Sequence, residues 1–208
     1  TTKQGVIRVA INGVEGSGKT SFALALVEFL KTQGDTAVHV SIDGFHHNKE
    51  RRYRQGRDSA RGYYEDSYDE TAFAALVLEA SQADPACYTP ATHDLESDEY
   101  LSLPPVPLTQ ESILVTDGAY LFKPTYAQHW DFKIYLRVDW TIAMTRGVAR
   151  DAPSLGSKTV AEEKYRLRYH AASQMYIEEN NPERLADLVI DNNDYTRPEI
   201  VIEHRSSR

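Results

Sequence analysis

The sequence predicts an α/β fold of the doubly wound type, in which a mostly parallel sheet carries helices on both faces. Segments with the patterns of strands and helices alternate along nearly the whole chain, an order typical of parallel sheets. Several strand segments are short apolar runs, as expected for strands buried on both faces. The chain has 208 residues, 41% of them hydrophobic and 26% charged, enough for one domain with a sizeable core. We therefore predict a single domain over residues 1–208.

The N-terminal part begins with a predicted strand, a glycine-rich turn and a helix. Residues 6–11 are mostly apolar and β-branched and lead into three glycines, the pattern of a buried strand that feeds a tight loop. Residues 19–33 contain good helix formers with apolar side chains at helical spacing, and Gly34 provides a stop signal. A second strand is predicted at residues 38–42 and is followed by Asp43.

The segment from residue 46 to residue 62 differs in composition from the rest of the chain. It contains six basic residues against two acidic ones and almost no aliphatic side chains, although the protein as a whole is acidic. We interpret it as a mobile polar excursion, whose positive charge either surrounds an anionic group or remains in solvent.

The rest of the chain continues the alternation. Residues 88–95 predict a short edge strand or one arm of a hairpin, and the prolines at positions 104, 105 and 107 exclude regular structure just after it. A proline-containing break is predicted at residues 153–157. The other predicted elements are strands at residues 113–116, 132–138 and 187–191 and helices at residues 69–80, 141–150 and 160–179.

Composition and charge restrict what the protein contacts. The chain has 23 Lys and Arg against 31 Asp and Glu, and its formal net charge is −8. A general nucleic-acid binder would show a dominant basic face, so we expect no nucleic-acid partner. The apolar runs are far shorter than the roughly 20 residues of a membrane span, no secretory signal is visible, and Cys87 is the single cysteine. We therefore expect a cytoplasmic protein without a membrane partner, and a homo-oligomer remains open.

One motif carries specific chemistry. The residues directly after the first strand match the phosphate-loop pattern G-x-x-x-x-G-K-[ST]. Glycines let backbone N–H groups approach a polyphosphate closely at the N-terminus of a helix. Lys19 would reach the β- and γ-phosphates and the Thr20 hydroxyl would hold Mg²⁺, so the motif predicts a nucleotide and Mg²⁺ as ligands. The predicted nucleotide-binding residues are Gly13, Val14, Glu15, Gly16, Ser17, Gly18, Lys19 and Thr20.

Four further positions are candidates for the reaction itself. Asp43 follows the second strand, at the sheet edge where ligands gather, and could take the proton of an attacking hydroxyl; a turn aspartate is the alternative. Asp117 ends an apolar strand and is either a metal-side carboxylate or a strand-end cap. Arg146 and Arg150 lie one helical turn apart, so both can face one anion, unless they belong to a solvent-exposed helix face.

Several short motifs follow one another along the chain. They comprise residues 13–20, 41–45, 53–59, 62–64, 115–118, Asp139 with 146–151, and 186–191. This order resembles that of the uridine kinases and their phosphoribulokinase-like relatives, and the similarity covers nearly the whole chain. It is greatest with short bacterial proteins labelled uridine kinase-like.

The resemblance implies a P-loop NTPase fold with a mobile lid at about residues 146–170 and an acceptor-side insertion at about residues 44–68. It implies phosphoryl transfer from ATP to a hydroxyl of a small molecule, most simply a uridine- or cytidine-like nucleoside or a related ribose or sugar compound. Asp43 would be the base in this reaction. The implied catalytic residues are Asp43, Lys19, Arg146 and Arg150, with Thr20 and Asp117 at the metal.

The acceptor site matches that of the uridine kinases only in part. These enzymes hold the nucleoside with a Tyr-Asp pair and a histidine a few residues on, and the corresponding positions here are His93, Asp94 and Asp98. Of these residues, the aspartate of the pair is retained. Tyrosines in the basic segment and after it offer faces for a ring. The predicted substrate-binding residues are Phe45, Arg57, Tyr63, Tyr64 and Asp94.

A nucleotide-driven switch is the rival hypothesis. A nucleotide-hydrolysing switch or a metallochaperone-type GTPase would use the same phosphate loop to signal a conformation to a protein partner. Guanine recognition in such proteins uses an Asn-Lys-x-Asp run, and the nearest match, residues 48–51, fails at its last position. The sequence therefore favours the kinase.

Overall fold

A six-stranded sheet forms the centre of the molecule. The computed structural model describes residues 5–204, and its strands there are β1 (Ile7–Gly13), β2 (Ala37–Ser41), β3 (Cys87–Tyr88), β4 (His93–Asp94), β5 (Glu99–Tyr100), β6 (Val106–Pro107), β7 (Ile113–Gly118), β8 (Phe132–Arg137), β9 (Leu188–Asp191) and β10 (Glu199–Glu203). The sheet order is β10-β9-β8-β1-β7-β2, and every neighbouring pair is parallel except β10 with β9. The predicted mostly parallel sheet is confirmed. The antiparallel edge strand β10 is not among the predicted strands.

Helices flank this sheet on both faces. They are α1 (Lys19–Thr32), α2 (Lys49–Arg52), α3 (Ala60–Asp66), α4 (Glu70–Phe73), α5 (Pro124–Ala127), α6 (Trp140–Leu155), α7 (Lys158–Lys164), α8 (His170–Asn180) and α9 (Pro182–Leu185). π-helical stretches extend α4 through Ala74–Glu79 and join α7 to α8 through Tyr165–Tyr169. No helix within residues 5–204 has the length and apolar character that crossing a membrane requires.

The central strand β1 contributes to two separate hydrophobic clusters. Val9 and Ile11 pack with Ala23 and Val27 of α1 on one face. Ala10 belongs to a larger cluster on the other face. Because successive side chains of a strand point to opposite faces, a strand that is covered on both faces has no polar alternation. Coverage on both faces explains the apolar run in the sequence. Because β7 pairs in parallel with both β1 and β2, the C-terminal ends of these three strands lie at one sheet edge.

The basic segment at residues 46–62, predicted to be a polar excursion, includes regular structure. It contains α2 and the start of α3. The guanidinium of Arg168, which is 2% exposed, donates hydrogen bonds to the backbone oxygens of Arg52 (3.0 Å), Gly56 (3.3 Å) and Ser59 (3.0 Å). This order leaves no local signal in the sequence, because the side chain that fixes the segment lies 116 residues beyond Arg52.

Two breaks predicted from prolines are confirmed only in part. Residues 156–157 separate α6 from α7, but α6 runs through Pro153 to Leu155 and ends at Gly156, which has a φ of +97°. Pro153 removes one i→i−4 hydrogen bond near the helix end, where only two helical residues follow it. The two-residue strand β6, with Pro107, pairs antiparallel with β3. This pair is isolated from the main sheet, and an edge position tolerates the missing N–H of proline.

The hydroxyl of Tyr176 ties α8 to the end of the central strand. It accepts hydrogen bonds from Asn12 Nδ2 (2.5 Å) and from the backbone N–H of Phe122 (3.1 Å). Asn12 is completely buried and Tyr176 is 2% exposed, so water cannot replace the hydroxyl in this position.

We expect Tyr176→Phe to lower the free energy of unfolding by about 1–3 kcal/mol, because two buried donors lose their acceptor. Urea unfolding followed by circular dichroism measures this change. Tyr195→Phe is the matched control, since Tyr195 is 71% exposed and should tolerate the loss of its hydroxyl. Equal stabilities of the two variants would contradict the role given to Tyr176.

Candidate active site

The predicted phosphate loop connects β1 to α1. Gly16 and Gly18 have φ angles of +84° and +91°, a backbone conformation that glycine adopts without strain. A Cβ atom at Gly16 would also overlap the backbone carbonyl of Ala143 in α6. The N–H of Ser17 donates to the carbonyl of Val14 (3.1 Å) and closes the turn. The loop therefore depends on glycine at position 16 both for its backbone angles and for its packing.

Lys19, the first residue of α1, lies at the mouth of this loop and is 8% exposed. Its Nζ donates to the carbonyl oxygen of Val14 (3.0 Å) and lies 3.8 Å from Glu15 Oε2. Glu15 Oε1 in turn accepts a hydrogen bond from the Tyr63 hydroxyl (3.1 Å). The ammonium group is thus held where an anion at the helix N-terminus would meet it.

Thr20 and Asp117 form an oxygen-rich pair beside the loop. The Thr20 hydroxyl donates to Asp117 Oδ2 (2.6 Å), and His39 Nε2 lies 2.7 Å from Asp117 Oδ1. Burial alone would raise the pKa of Asp117, but the hydrogen bonds from His39 and Thr20 lower it below its ordinary value. The carboxylate is therefore ionised at neutral pH. Carboxylate and hydroxyl oxygens are ligands that Mg²⁺ prefers, so this donor set fits the metal.

Asp43 lies in a short 3₁₀ turn, Ile42–Phe45, that directly follows β2. Its Oδ1 accepts a hydrogen bond from the Tyr68 hydroxyl (3.1 Å), and its backbone carbonyl is 2.8 Å from His46 Nδ1. Desolvation raises the pKa of Asp43, and the negative charge of Glu15 nearby raises it further, against the opposing effect of His46. The carboxyl group is thus a stronger base than a solvent-exposed aspartate.

A cavity of about 620 Å³ lies beside the phosphate loop. It is lined by Gly16 and Gly18 of the loop, by the apolar side chains of Phe22 and Leu26 on α1, and by Tyr195. One end is thus bordered by the phosphate loop and another part by apolar and aromatic groups. This combination suits a nucleotide, whose phosphates are charged and whose base is flat and largely apolar.

Arg146 borders the same cavity. Its guanidinium donates to the backbone oxygens of Asn192 (2.9 Å) and Asn193 (2.6 Å) and lies 5.3 Å from the centroid of the Tyr195 ring. Asn192 Nδ2 donates to the carbonyl of Ser17 (2.8 Å). Arg146 is therefore fixed to the phosphate loop through Asn192.

A second cavity, of about 420 Å³, is lined by Asp43, Glu15 and Tyr63. Arg150 is in the walls of both cavities. Its guanidinium forms a two-point ion pair with Asp151 (2.7 and 3.0 Å). Asp43 thus lines the second cavity, Gly16 and Gly18 of the phosphate loop line the first, and Arg150 borders both.

Several predicted substrate contacts do not reach the second cavity. Phe45 is completely buried, with its ring centroid 5.2 Å from that of Phe73. Tyr64 packs in the same core and lies under the ammonium group of Lys123 (4.1 Å). Hydrophobic packing holds these two rings, and the expectation that they contact a substrate has no support from their position.

The other two predicted contacts also lie elsewhere. Asp94 accepts hydrogen bonds from the backbone and side chain of Ser97, both at 2.7 Å, and so caps a turn. Arg57 lines a separate cavity of about 350 Å³ and lies 5.5 Å from the Tyr53 ring centroid. Of the five predicted substrate contacts, Tyr63 is the one that the structure places with Asp43.

Sequence reasoning does not identify two side chains that contact the candidate carboxylates. His39 lies in the middle of β2 and reaches Asp117 because β2 and β7 pair in parallel. Tyr68 reaches Asp43 because residue 68 forms an isolated antiparallel bridge with His46. Neither pairing leaves a motif in the sequence.

A comparison with protein families finds a match over most of the chain. The model described as Phosphoribulokinase / Uridine kinase family matches residues 8–194 of the chain. No sequence among the curated proteins matches it.

Solved structures share the fold. A possible uridine kinase from Bacillus stearothermophilus has a TM-score of 0.69 at 22% identity, covering 91% of this chain and 90% of that one. A putative fructose transport system kinase from Silicibacter sp. TM1040 has a TM-score of 0.69 at 24% identity, covering 86% and 87%. A phosphoribulokinase from Rhodobacter spheroides has a TM-score of 0.60 at 14% identity, covering 91% and 71%.

We expect Gly16→Ala to weaken binding of ATP with Mg²⁺ at least about a hundredfold, because the added methyl group displaces the loop from Ala143. Isothermal titration calorimetry measures the affinity, and circular dichroism checks the fold. Gly34→Ala is the control: it has a similar φ of +93°, but nothing lies within 4 Å of its Cβ. An unchanged affinity in Gly16→Ala would refute the assignment of the loop.

Proposed function

Because the chain belongs to the phosphoribulokinase/uridine kinase family, we propose that it transfers the γ-phosphoryl group of ATP to a hydroxyl of a nucleoside- or sugar-like acceptor. Family membership makes it an ATP-dependent small-molecule kinase. One observation carries the finer proposal: Asp43, a carboxyl group with a raised pKa, lines a cavity that meets the phosphate-loop cavity at Arg150. The fold alone would not require a base there.

The phosphate loop binds the triphosphate. Backbone N–H groups at the start of α1 and the ammonium group of Lys19 compensate its negative charge. The apolar face of α1 and the ring of Tyr195 accommodate the base. Thr20 and Asp117 hold Mg²⁺, which, when bound, neutralises charge on the phosphate oxygens. His39 orients the Asp117 carboxylate and keeps it ionised.

Asp43 accepts the proton of the acceptor hydroxyl. As that O–H bond breaks, the oxygen bonds to the γ-phosphorus, and the bond from this phosphorus to the β,γ-bridging oxygen breaks to release ADP. Tyr68 fixes the orientation of the Asp43 carboxylate through its hydrogen bond. Desolvation raises the pKa of Asp43 and so strengthens it as a base, which suits general-base catalysis.

Arg150 stabilises the transferring group from the lid. Its side chain is 64% exposed and is paired with Asp151, and it can exchange this partner for a phosphate. Because it borders both cavities, it can contact the phosphoryl group during transfer. Closure of the lid excludes water and limits hydrolysis of ATP.

A small acceptor fits this arrangement better than a protein partner does. The cavity next to Asp43 has a volume of about 420 Å³ and is partly aromatic, as expected for a small-molecule site. A nucleotide-hydrolysing switch needs no such cavity. The assay that separates the two functions follows consumption of ATP and of GTP with and without a panel of nucleosides and sugars. Turnover that no acceptor stimulates would support the switch.

We expect Asp43→Asn to lower kcat by about 10²–10⁴, because the amide cannot accept the hydroxyl proton. Coupled ADP release measures kcat, and calorimetry should find ATP affinity unchanged. Asp35→Asn, the same change at an exposed turn, serves as the control. A kcat close to that of the wild type in Asp43→Asn would remove Asp43 from the role of base.

The pH profile provides an independent test. Since Asp43 must be ionised to accept a proton and its pKa is raised, activity should rise with pH through a limb lying above the ordinary aspartate pKa of about 4. The Tyr68 hydrogen bond stabilises the ionised form. Tyr68→Phe should therefore move this limb to higher pH, whereas Tyr100→Phe, at an exposed ring, should leave it in place. An unshifted limb in Tyr68→Phe would contradict the assignment.

A further inference from the structure

The second cavity contains more positive charge than phosphoryl transfer by itself explains. Lys49 and Arg52, from α2, and Arg168, from the π-helical stretch, all line it. The triphosphate already has Lys19 and Arg150 as cationic partners in the proposed function. The three additional cations therefore require another explanation.

Two of these cations retain unused hydrogen-bonding groups. Arg52 is 9% exposed and pairs with Asp98 through Nη2 (3.0 Å), but within residues 5–204 its buried Nε has no hydrogen-bond partner. Lys49 binds the same carboxylate through its backbone N–H (2.9 Å), and in this part of the chain its ammonium group forms no ion pair. A buried guanidinium N–H without an acceptor is costly unless a ligand supplies one.

Arg168 adds charge that no carboxylate of the described chain neutralises. Its hydrogen bonds run to the backbone oxygens of three residues in the basic segment. Neutral carbonyl groups solvate a guanidinium but do not cancel its charge, so the cavity wall stays positive.

The ionisation of Tyr53 gives the sign of the electrostatic potential at this wall. Burial alone would raise the pKa of its phenol, but the positive charges of Lys164, Arg52 and Arg168 together lower that pKa below its ordinary value. The Arg168 guanidinium lies 4.8 Å from the centroid of the Tyr53 ring. A potential that favours a phenolate favours other anions in the same cavity.

Three carboxylates line the cavity, and one of them, Asp151 on α6, is already paired with Arg150. Glu15 belongs to the phosphate loop and Asp43 follows β2, whereas the three additional cations come from α2 and from Tyr165–Tyr169. We infer that the acceptor carries a phosphate or carboxylate group that binds Arg52 and Lys49 while its hydroxyl faces Asp43. This inference rests on the proposed function and narrows its acceptor to hydroxylated anions.

A structural role for these cations is the competing explanation. Arg168 positions the basic segment, and Arg52 could serve only to hold Asp98. In that case loss of the Arg52 charge would lower stability but would not change the preference among acceptors. Selectivity between charged and neutral acceptors therefore separates the two explanations.

Matched acceptor pairs test the inference directly. ATP consumption by the wild-type protein is measured with ribose and ribose 5-phosphate, uridine and uridine 5′-monophosphate, and glucose and gluconate. In any pair that stimulates ATP consumption, we expect the charged acceptor to have a kcat/KM at least about tenfold higher than the neutral one. One charge-assisted hydrogen bond provides a difference of this size. Equal or better use of the neutral members would overturn the inference.

Three variants locate the effect. Arg52→Gln and Lys49→Gln should each raise the KM for the charged acceptor at least about tenfold and leave the KM for ATP unchanged. Arg51→Gln is the control, since Arg51 lies on the same helix but is exposed and does not line the cavity. Lys49 is also exposed, so its variant tests the inference even if loss of the Arg52–Asp98 pair destabilises the fold. Equal KM values in Lys49→Gln and Arg51→Gln would overturn the inference.

Failure of the proposed function would look different, because no acceptor of either kind would stimulate ATP consumption. Calorimetry with ribose 5-phosphate and ribose then still tests the anion site in the wild type and in Lys49→Gln. Binding of ribose 5-phosphate but not of ribose, weakened by Lys49→Gln, would support the site. Absence of binding, or binding unaffected by the variant, would refute it.

Discussion

The close approach of Gly16 to the carbonyl of Ala143 is the contact on which the rest of the site depends. It joins the phosphate loop to α6, the helix that carries Arg146 and Arg150. Asn192 strengthens the same junction, since it donates to the carbonyl of Ser17 and accepts from Arg146. Because position 16 has no side chain, the loop and the helix pack without a gap. Arg146 and Arg150 are thereby placed relative to the phosphate loop by backbone packing.

Two carboxyl groups at one sheet edge acquire opposite properties from their surroundings. Asp117 accepts hydrogen bonds from His39 and from Thr20, and these lower its pKa despite burial. Within residues 5–204, Asp43 has a single such donor, Tyr68, and the nearby negative charges add to desolvation in raising its pKa. The two aspartates thus differ in pKa because they differ in hydrogen-bond donors and in neighbouring charge.

The site could be predicted where its chemistry depends on local sequence. The phosphate loop needs glycines and a lysine at fixed spacing, and all of these residues lie within one short segment of the sequence. Tyr64 and Phe45 show the limit, because an aromatic residue near a motif can equally serve the core, and both are buried there. His39 and Tyr68 show the converse. Their contacts with the carboxylates arise from strand pairing across the sheet and from an isolated bridge, and neither has a sequence pattern.

The sequence by itself determined the parallel sheet, the phosphate loop and the strand ends that carry Asp43 and Asp117, because alternation of apolar segments and glycine spacing are local properties. It did not determine the order within the basic segment, the course of α6 through Pro153, or the wall of the second cavity. Only the tertiary structure decided these, since Arg168 reaches the basic segment from 116 residues away. A contact of that kind depends on how the chain folds back on itself, and no short pattern of residues records it.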